Sequence, residues 1–182
     1  PICKNKMLFC TEAGDQITGN LKCMYDYFSD NKYEKIIYAH EDRRDKRRLA
    51  ETLSLWKDLT VAKYVFLDDF YTITSTMKVR KGQELIQLWH GAGAYKKFGF
   101  SRIGTGDNIR NINSGYRKYT KVITSSEDIR PLYAEAFDID LNKVKATGCP
   151  RTDVFFDDNW KKEVREKIYN QYPQLWDKKW CY

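Results

Sequence analysis

The stretch that decides the fold is Leu85-Ile86-Gln87-Leu88-Trp89-His90-Gly91-Ala92-Gly93-Ala94-Tyr95-Lys96-Lys97. Residues 85–89 are mostly apolar and read as a buried strand that runs into a histidine. Small residues follow at once, then two lysines. In an open α/β fold, ligands bind at the carboxyl ends of strands. An imidazole placed there can act as a base, small residues let a substrate approach the backbone, and lysines can hold phosphate. The chain contains only two histidines, and His90 stands where chemistry is expected.

Working outward from this strand, the same alternation recurs on both sides. Residues 6–10, 34–39 and 62–67 read as strands before it, and 121–124 and 144–147 as strands after it. Between them lie helical stripes. Leu21, Met24, Tyr25 and Phe28 fall at i, i+3, i+4 and i+7, and Leu49, Leu53 and Trp56 give a second stripe. Ile129, Leu132, Tyr133 and Ala136 give a third, with Asp128 as a candidate cap and Pro131 in the first turn, where its missing N–H costs nothing. A last helix carries Trp160, Val164 and Ile168 and stops before Pro173. Strands alternating with helices argue for parallel βαβ units. Strands without strict polar alternation suit a sheet covered on both faces. The expected class is α/β, a Rossmann-like three-layer α/β/α domain spanning residues 1–182 around a mostly parallel sheet. Residues 97–113, rich in Gly, Asn and Arg, form a loop long enough to suggest a functional role.

Composition narrows the function. The 182 residues are 42% hydrophobic, which is globular rather than disordered. No run approaches the roughly 18 apolar residues of a membrane span. No secretory leader opens the chain, and Pro1 in place of Met reads as an excised boundary. Five scattered cysteines (Cys3, Cys10, Cys23, Cys149, Cys181) form no CxxC pair, so neither zinc nor redox chemistry is indicated, and a reducing cytoplasm fits them. The net charge of +7 favours anionic partners such as phosphorylated substrates, acidic lipid or nucleic acid. The dense block at residues 43–48 reads as a solvated helix face.

Several residues could carry chemistry, each beside a plainer alternative. His90 is either a general base or a histidine satisfied within the core. Gly91 and Gly93 allow close backbone approach, and successive N–H groups can face an anion. Lys96 and Lys97 could bind phosphate. The loop is not a Walker A motif, and it is not GxGxxG, because Lys96 stands where the third glycine belongs. Thr147-Gly148-Cys149-Pro150-Arg151-Thr152-Asp153 follows the last strand. There Arg151 could fork onto a phosphate, and Asp153 could orient Arg151 or cap the next helix. The alternative is an ordinary strand–turn–helix junction. Ser125 and Ser126 end a strand as helix caps or as ligand contacts. His40-Glu41-Asp42 reads as a surface turn. The residues call for no metal and no cofactor.

Three of these segments together resemble a known family. Leu88-Trp89-His90-Gly91 with Lys96-Lys97, then Thr124-Ser125-Ser126-Glu127, then Gly148-Cys149-Pro150-Arg151-Thr152-Asp153 are similar in order and spacing to the CDP-glycerol glycerophosphotransferases. These are the teichoic-acid primases and polymerases and related capsule enzymes. The opening, with Glu12 and Asn20 before an aromatic-rich helix, is also similar. One departure is Ala92-Gly93-Ala94 in place of the commoner Thr-Pro-Leu. The resemblance implies one half of a GT-B-type architecture, the N-terminal, acceptor-side half. It also implies that a C-terminal nucleotide-binding half, not in this chain, holds most of the CDP-glycerol site and a second histidine.

The resemblance implies that an acceptor hydroxyl, on a lipid-linked or polyol-phosphate acceptor, attacks the β-phosphorus of CDP-glycerol and releases CMP. His90 would be the base, while Gly91, Gly93, Lys96, Lys97, Ser125, Ser126, Arg151 and Asp153 would bind phosphate or substrate. The expected setting is the cytoplasm, peripheral to the inner face of an anionic membrane, with no nucleic-acid partner. Two other classes stay open: a sugar-nucleotide glycosyltransferase of the same architecture, and a non-catalytic polyanion-binding module.

Overall fold

The computed structural model describes residues 1–29, 32–40, 49–103, 114–176 and 178. Its elements run β1 (Cys3–Thr11), α1 (Gly19–Tyr27), β2 (Glu34–Ala39), α2 (Leu49–Val61), β3 (Ala62–Leu67), β4 (Glu84–Gln87), β5 (Lys121–Thr124), α3 (Arg130–Phe137), β6 (Val144–Ala146) and α4 (Asp158–Gln171). The six strands form one sheet in the order β2-β1-β3-β4-β5-β6. Every neighbouring pair is parallel. The chain divides into two compact units, Pro1–Pro150 and Arg151–Tyr182. The sheet belongs to the first.

An all-parallel sheet must bury both faces, and alternate residues along β1 do so. Leu8 and Cys10 join Val65, Leu67 and Leu85 in a core closed by Leu55 and Leu59 of α2 and by Tyr133 and Phe137 of α3. Met7 and Phe9 join Phe66 and Ile86 in a second core, closed by Ile17 and by Leu21 of α1. Each such large apolar side chain contributes about 1.5–3 kcal/mol by leaving water. From β1 the chain steps to one side to make β2, then returns across β1 to make β3 on the other side. Strand order therefore reverses between β1 and β3, and the crevice beyond their carboxyl ends is where an open α/β sheet binds ligands.

The α/β class and the parallel sheet are borne out, and several local readings change. β1 is longer than residues 6–10, and β6 ends one residue earlier than expected. β4 stops at Gln87 instead of reaching Trp89, because Trp89 leaves the extended region for φ +53°. His90 is therefore the third residue past the strand. On α2 the buried residues are Leu55, Asp58 and Leu59. The expected stripe members Leu49 and Leu53 are 75% and 61% exposed. The helix is turned about a quarter-revolution from that stripe, which follows from placing Leu55 and Leu59 over the sheet at 100° per residue. On α3 Phe137 takes the core place expected of Leu132, which is exposed.

Asp128 is not the N-cap of α3, a place taken by Ile129. The chain enters α3 through a 3-10 turn over Glu127–Ile129, with Pro131 in the first helical turn as expected. In the second unit Asp157, and not Asp153, caps α4, accepting from the N–H groups of Asn159 and Trp160 at 3.0 Å each. Asp153 sits within the preceding 3-10 turn, Pro150–Phe156. The long loop contains a 3-10 turn at Gly99–Arg102, and a second 3-10 turn, Ser114–Lys118, follows the loop. The block at 43–48, Glu41, Asp42, Cys181 and loop residues 104–113 lie outside the described residues. Cys3, Cys10, Cys23 and Cys149 are not bridged in disulfides.

One glycine in the loop cannot be replaced without strain. Gly99 has φ +53°, and a Cβ there would lie 2.1 Å from the carbonyl oxygen of Ala136. Its bare backbone presses onto α3 and seats the adjacent Phe98 against the Trp89 ring, with centroids 4.8 Å apart. Gly99→Ala should lower stability by about 2–3 kcal/mol through overpacking and left-handed strain. Chemical denaturation checks this, and an unchanged midpoint would show that the contact yields freely.

Candidate active site

The site is built on the turn that follows β4. Trp89 is a buried, bulky residue in the left-handed region, a conformation that costs an L-residue about 1–2 kcal/mol. Buried carboxamides hold it there. The side-chain amide of Asn20, in the first turn of α1, donates to the carbonyl of Leu88 at 3.3 Å and to that of Trp89 at 2.7 Å. Gln87 accepts from the Trp89 N–H at 2.8 Å. Its own amide donates to the Asp69 carbonyl at 2.9 Å and the Tyr119 hydroxyl at 3.0 Å. Below the turn the Trp89 indole stacks on Phe98 and meets Phe137 edge-on at 5.3 Å. Such aromatic pairs add about 0.5–1.5 kcal/mol each.

The turn carries His90 to the surface, where its side chain is half-exposed. The ring lies against the Trp89 indole, with centroids 4.5 Å apart. Its Nδ1 is 3.3 Å from the carbonyl oxygen of Asp68 and 3.9 Å from a carboxylate oxygen of Asp69. A carbonyl can only accept, so this contact requires the proton on Nδ1. In the neutral ring Nε2 is then left with its lone pair, the arrangement a general base needs. Asp69 stands where it can balance the charge formed when the ring takes a proton, and its own carboxylate is steadied by the N–H of Phe70 at 2.6 Å.

The carbonyls beyond His90 are tied down as well. Tyr133 donates its hydroxyl to the Gly91 carbonyl at 3.2 Å, and Ser125 donates to that of Ala92. Burial pushes the Tyr133 phenol up to about 12, so it stays a donor at any physiological pH. In a trans peptide the N–H points opposite the preceding C=O. Anchoring the carbonyls of Trp89, Gly91 and Ala92 therefore turns the N–H groups of His90, Ala92 and Gly93 away from their anchors.

The loops after β1 and β3 complete this edge. Glu12 accepts from both the backbone N–H and the hydroxyl of Thr72, at 3.0 and 2.7 Å, closing one loop onto the other. Asp68 is only 8% exposed, and one carboxylate oxygen has no hydrogen-bond partner among the described residues. Burial raises its carboxyl above the usual carboxylate range. The Thr11 hydroxyl opposes the rise and the Asp69 charge adds to it.

Of the residues expected at the site, the structure gathers His90, Gly91 and Ser125 around one turn. Gly91 and Gly93 do not have positive φ, and the left-handed residue of the turn is Trp89. A Cβ on Gly93 would meet the Tyr95 ring at 2.9 Å, but that ring is exposed and free to move. Lys96 and Lys97 lie exposed further along the loop and make no ion pair among the described residues. Ser126 precedes the turn into α3 and makes no side-chain cap bond. Arg151 and Asp153 belong to the second unit and are exposed. His40 follows β2 and is half-buried. Sequence reasoning passed over Asp68, Asp69, Gln87 and Tyr133. For the two aspartates a signal existed, since they follow the strand at 62–67 at the same sheet edge as His90.

The sequence matches the family described as CDP-Glycerol:Poly(glycerophosphate) glycerophosphotransferase over residues 1–180. It is 41% identical over 181 residues to a teichoic acid poly(ribitol-phosphate) polymerase of Bacillus spizizenii, covering 98% of this chain and 29% of that protein. It is 37% identical over 179 residues to the teichoic acid ribitol-phosphate polymerase TarK of Staphylococcus aureus, covering 95% and 34% respectively. Among solved structures, the wall teichoic acid polymerase TagF superposes with a TM-score of 0.73 at 17% identity, over 93% of this chain and 44% of that one. That likeness bears on the fold. The chain spans about a third or less of the length of these curated relatives.

The strained carboxylate makes a pH prediction. Below the ordinary carboxylate pKa, near 4, Asp68 is protonated in the folded and unfolded chain alike. As pH rises through its elevated native pKa, the buried carboxyl must ionise and the native state loses stability. Asp68→Asn should therefore gain on wild type in thermal stability as pH goes from about 4 to neutrality. A stability difference that is flat across this range, or that shrinks with rising pH, would contradict the burial of an ionising Asp68.

Proposed function

The chain belongs to the CDP-glycerol:poly(glycerophosphate) glycerophosphotransferase family, and on that premise we propose that it forms the His90-bearing, acceptor-side wall of a polyol-phosphate transferase of teichoic-acid synthesis. A hydroxyl of a lipid-linked or polymeric polyol-phosphate acceptor attacks the β-phosphorus of a CDP-polyol. The new O–P bond forms as the bond to CMP breaks, and the hydroxyl proton passes to Nε2 of His90. The observation that carries this reading is the His90 ring itself, held at Nδ1 by the Asp68 carbonyl and half-exposed just beyond the carboxyl end of β4. Transfer of a phosphoryl group asks mainly for positioning and for charge stabilisation. The outward N–H groups of Ala92 and Gly93, with Lys96 and Lys97 beyond them, are suited to receive phosphate charge. Asp69 supports the imidazolium.

The polyol is the finer question. CDP-glycerol is the donor in the family's name, whereas the polymerases 41% and 37% identical to this chain are named for ribitol phosphate. We propose ribitol phosphate as the preferred unit. A cytoplasmic reaction at the inner face of an anionic membrane, reached through the chain's net positive charge, belongs to the same proposal. Among the described residues no helix is long and apolar enough to cross a membrane.

Release of CMP by the intact protein, with a polyol-phosphate acceptor present, tests these statements. His90→Gln should lower turnover by about 10²–10⁴-fold, the usual worth of a general base, and near-normal turnover would remove His90 from the chemistry. With the wild type, CDP-ribitol should be used in preference to CDP-glycerol, and the reverse order would return the donor to glycerol. Use of a UDP- or GDP-sugar in place of either would identify a glycosyltransferase.

A further inference from the structure

We propose that Asn20 is a positioning residue for the reaction, acting through the Trp89 peptide to set the orientation of His90. The inference rests on the reading of His90 as the base. Asn20 is 2% exposed and stands in the first turn of α1, nearly seventy residues from the turn it holds. Its amide gives two hydrogen bonds to consecutive carbonyls, Leu88 and Trp89. Those carbonyls flank the one residue of the turn whose backbone is left-handed. The Trp89 carbonyl belongs to the peptide whose nitrogen is that of His90, so the bond at 2.7 Å fixes the plane from which the imidazole projects.

A left-handed tryptophan has a ready alternative, relaxation into the extended region that would continue β4. That relaxation would rotate the His90 peptide and take Nδ1 off the Asp68 carbonyl. Gln87 restrains the same peptide chain from the strand side, through the Trp89 N–H and the Asp69 carbonyl. Asn20 restrains it from the helix side. Asn20 also needs the neutral amide. An ionised carboxylate of the same shape cannot donate to a carbonyl, so Asn20→Asp keeps the volume and removes both hydrogen bonds.

The test uses the intact protein with Asn20→Ala and Asn20→Asp. Both variants should fold, with kcat for CMP release reduced by roughly 10²-fold, the effect of a misplaced catalytic group. KM for the CDP-polyol should be unchanged. Amide hydrogen exchange should quicken in the peptide covering residues 88–93 and stay as in wild type across the rest of the sheet. An unchanged kcat in either variant overturns the assignment. So does a loss that comes as raised KM with faster exchange throughout the sheet, or a failure of both variants to fold, since each makes Asn20 a residue of general stability. Wild-type protein that releases no CMP from either CDP-polyol would sink the reading of the reaction alone. Exchange at residues 88–93 would still judge the clamp, and no change there in Asn20→Ala would sink it independently.

Discussion

The bond between the Asn20 amide and the Trp89 carbonyl carries the architecture of this edge of the protein. A parallel strand that ran on as its apolar sequence invites would bury Trp89 and His90 on opposite faces of the sheet, by the period-two alternation of strands. The left-handed turn at Trp89 prevents that. It keeps the indole in the core, stacked on Phe98 and against Phe137, and releases the next residue to the surface. Conformational strain here is converted into the placement of one imidazole, and backbone strain of this kind gathers where structures hold function.

Everything around the turn supports that placement. Gln87 joins the end of β4 to the loop after β3, so the carbonyl and carboxylate that face His90 move with the strand that delivers it. Gly99, pressed onto α3, brings Phe98 under the indole. Tyr133 of α3 and Ser125 after β5 hold the carbonyls beyond His90, so with Asn20 of α1 three separate segments grip one short loop. The carbonyls of Trp89, Gly91 and Ala92 are tied to side chains, and the N–H groups of the same peptides point away from those anchors.

Much of this was legible in the sequence, and the losses have physical causes. The strands at 34–39, 62–67 and 121–124 match the observed elements residue for residue, because β-rich apolar runs bounded by polar turns leave little choice. The end of β4 was misread because Leu88 and Trp89 are as apolar as the strand. The strand ends in a left-handed turn at Trp89 whose carbonyl accepts from Asn20 of a distant helix, a partner no local pattern announces. The stripe on α2 misled for a related reason. Leu49 and Leu53 are apolar and periodic, yet the face of the helix that meets the sheet is set by Leu55 and Leu59. His90 stood out through its place after a strand. The aspartates that serve it follow the strand at 62–67 at the same sheet edge, but that this strand is the neighbour of β4 became visible only once the sheet order was known.

The tautomer of His90 tests most directly whether the turn presents a base. In the intact protein labelled with ¹⁵N-histidine, the His90 resonances are identified by their loss in His90→Gln, and long-range ¹⁵N–¹H correlation reads which nitrogen holds the proton. With the ring neutral, the proton should reside on Nδ1, held by the Asp68 carbonyl, with Nε2 unprotonated. A ring that carries its proton on Nε2 would contradict the arrangement on which the site depends.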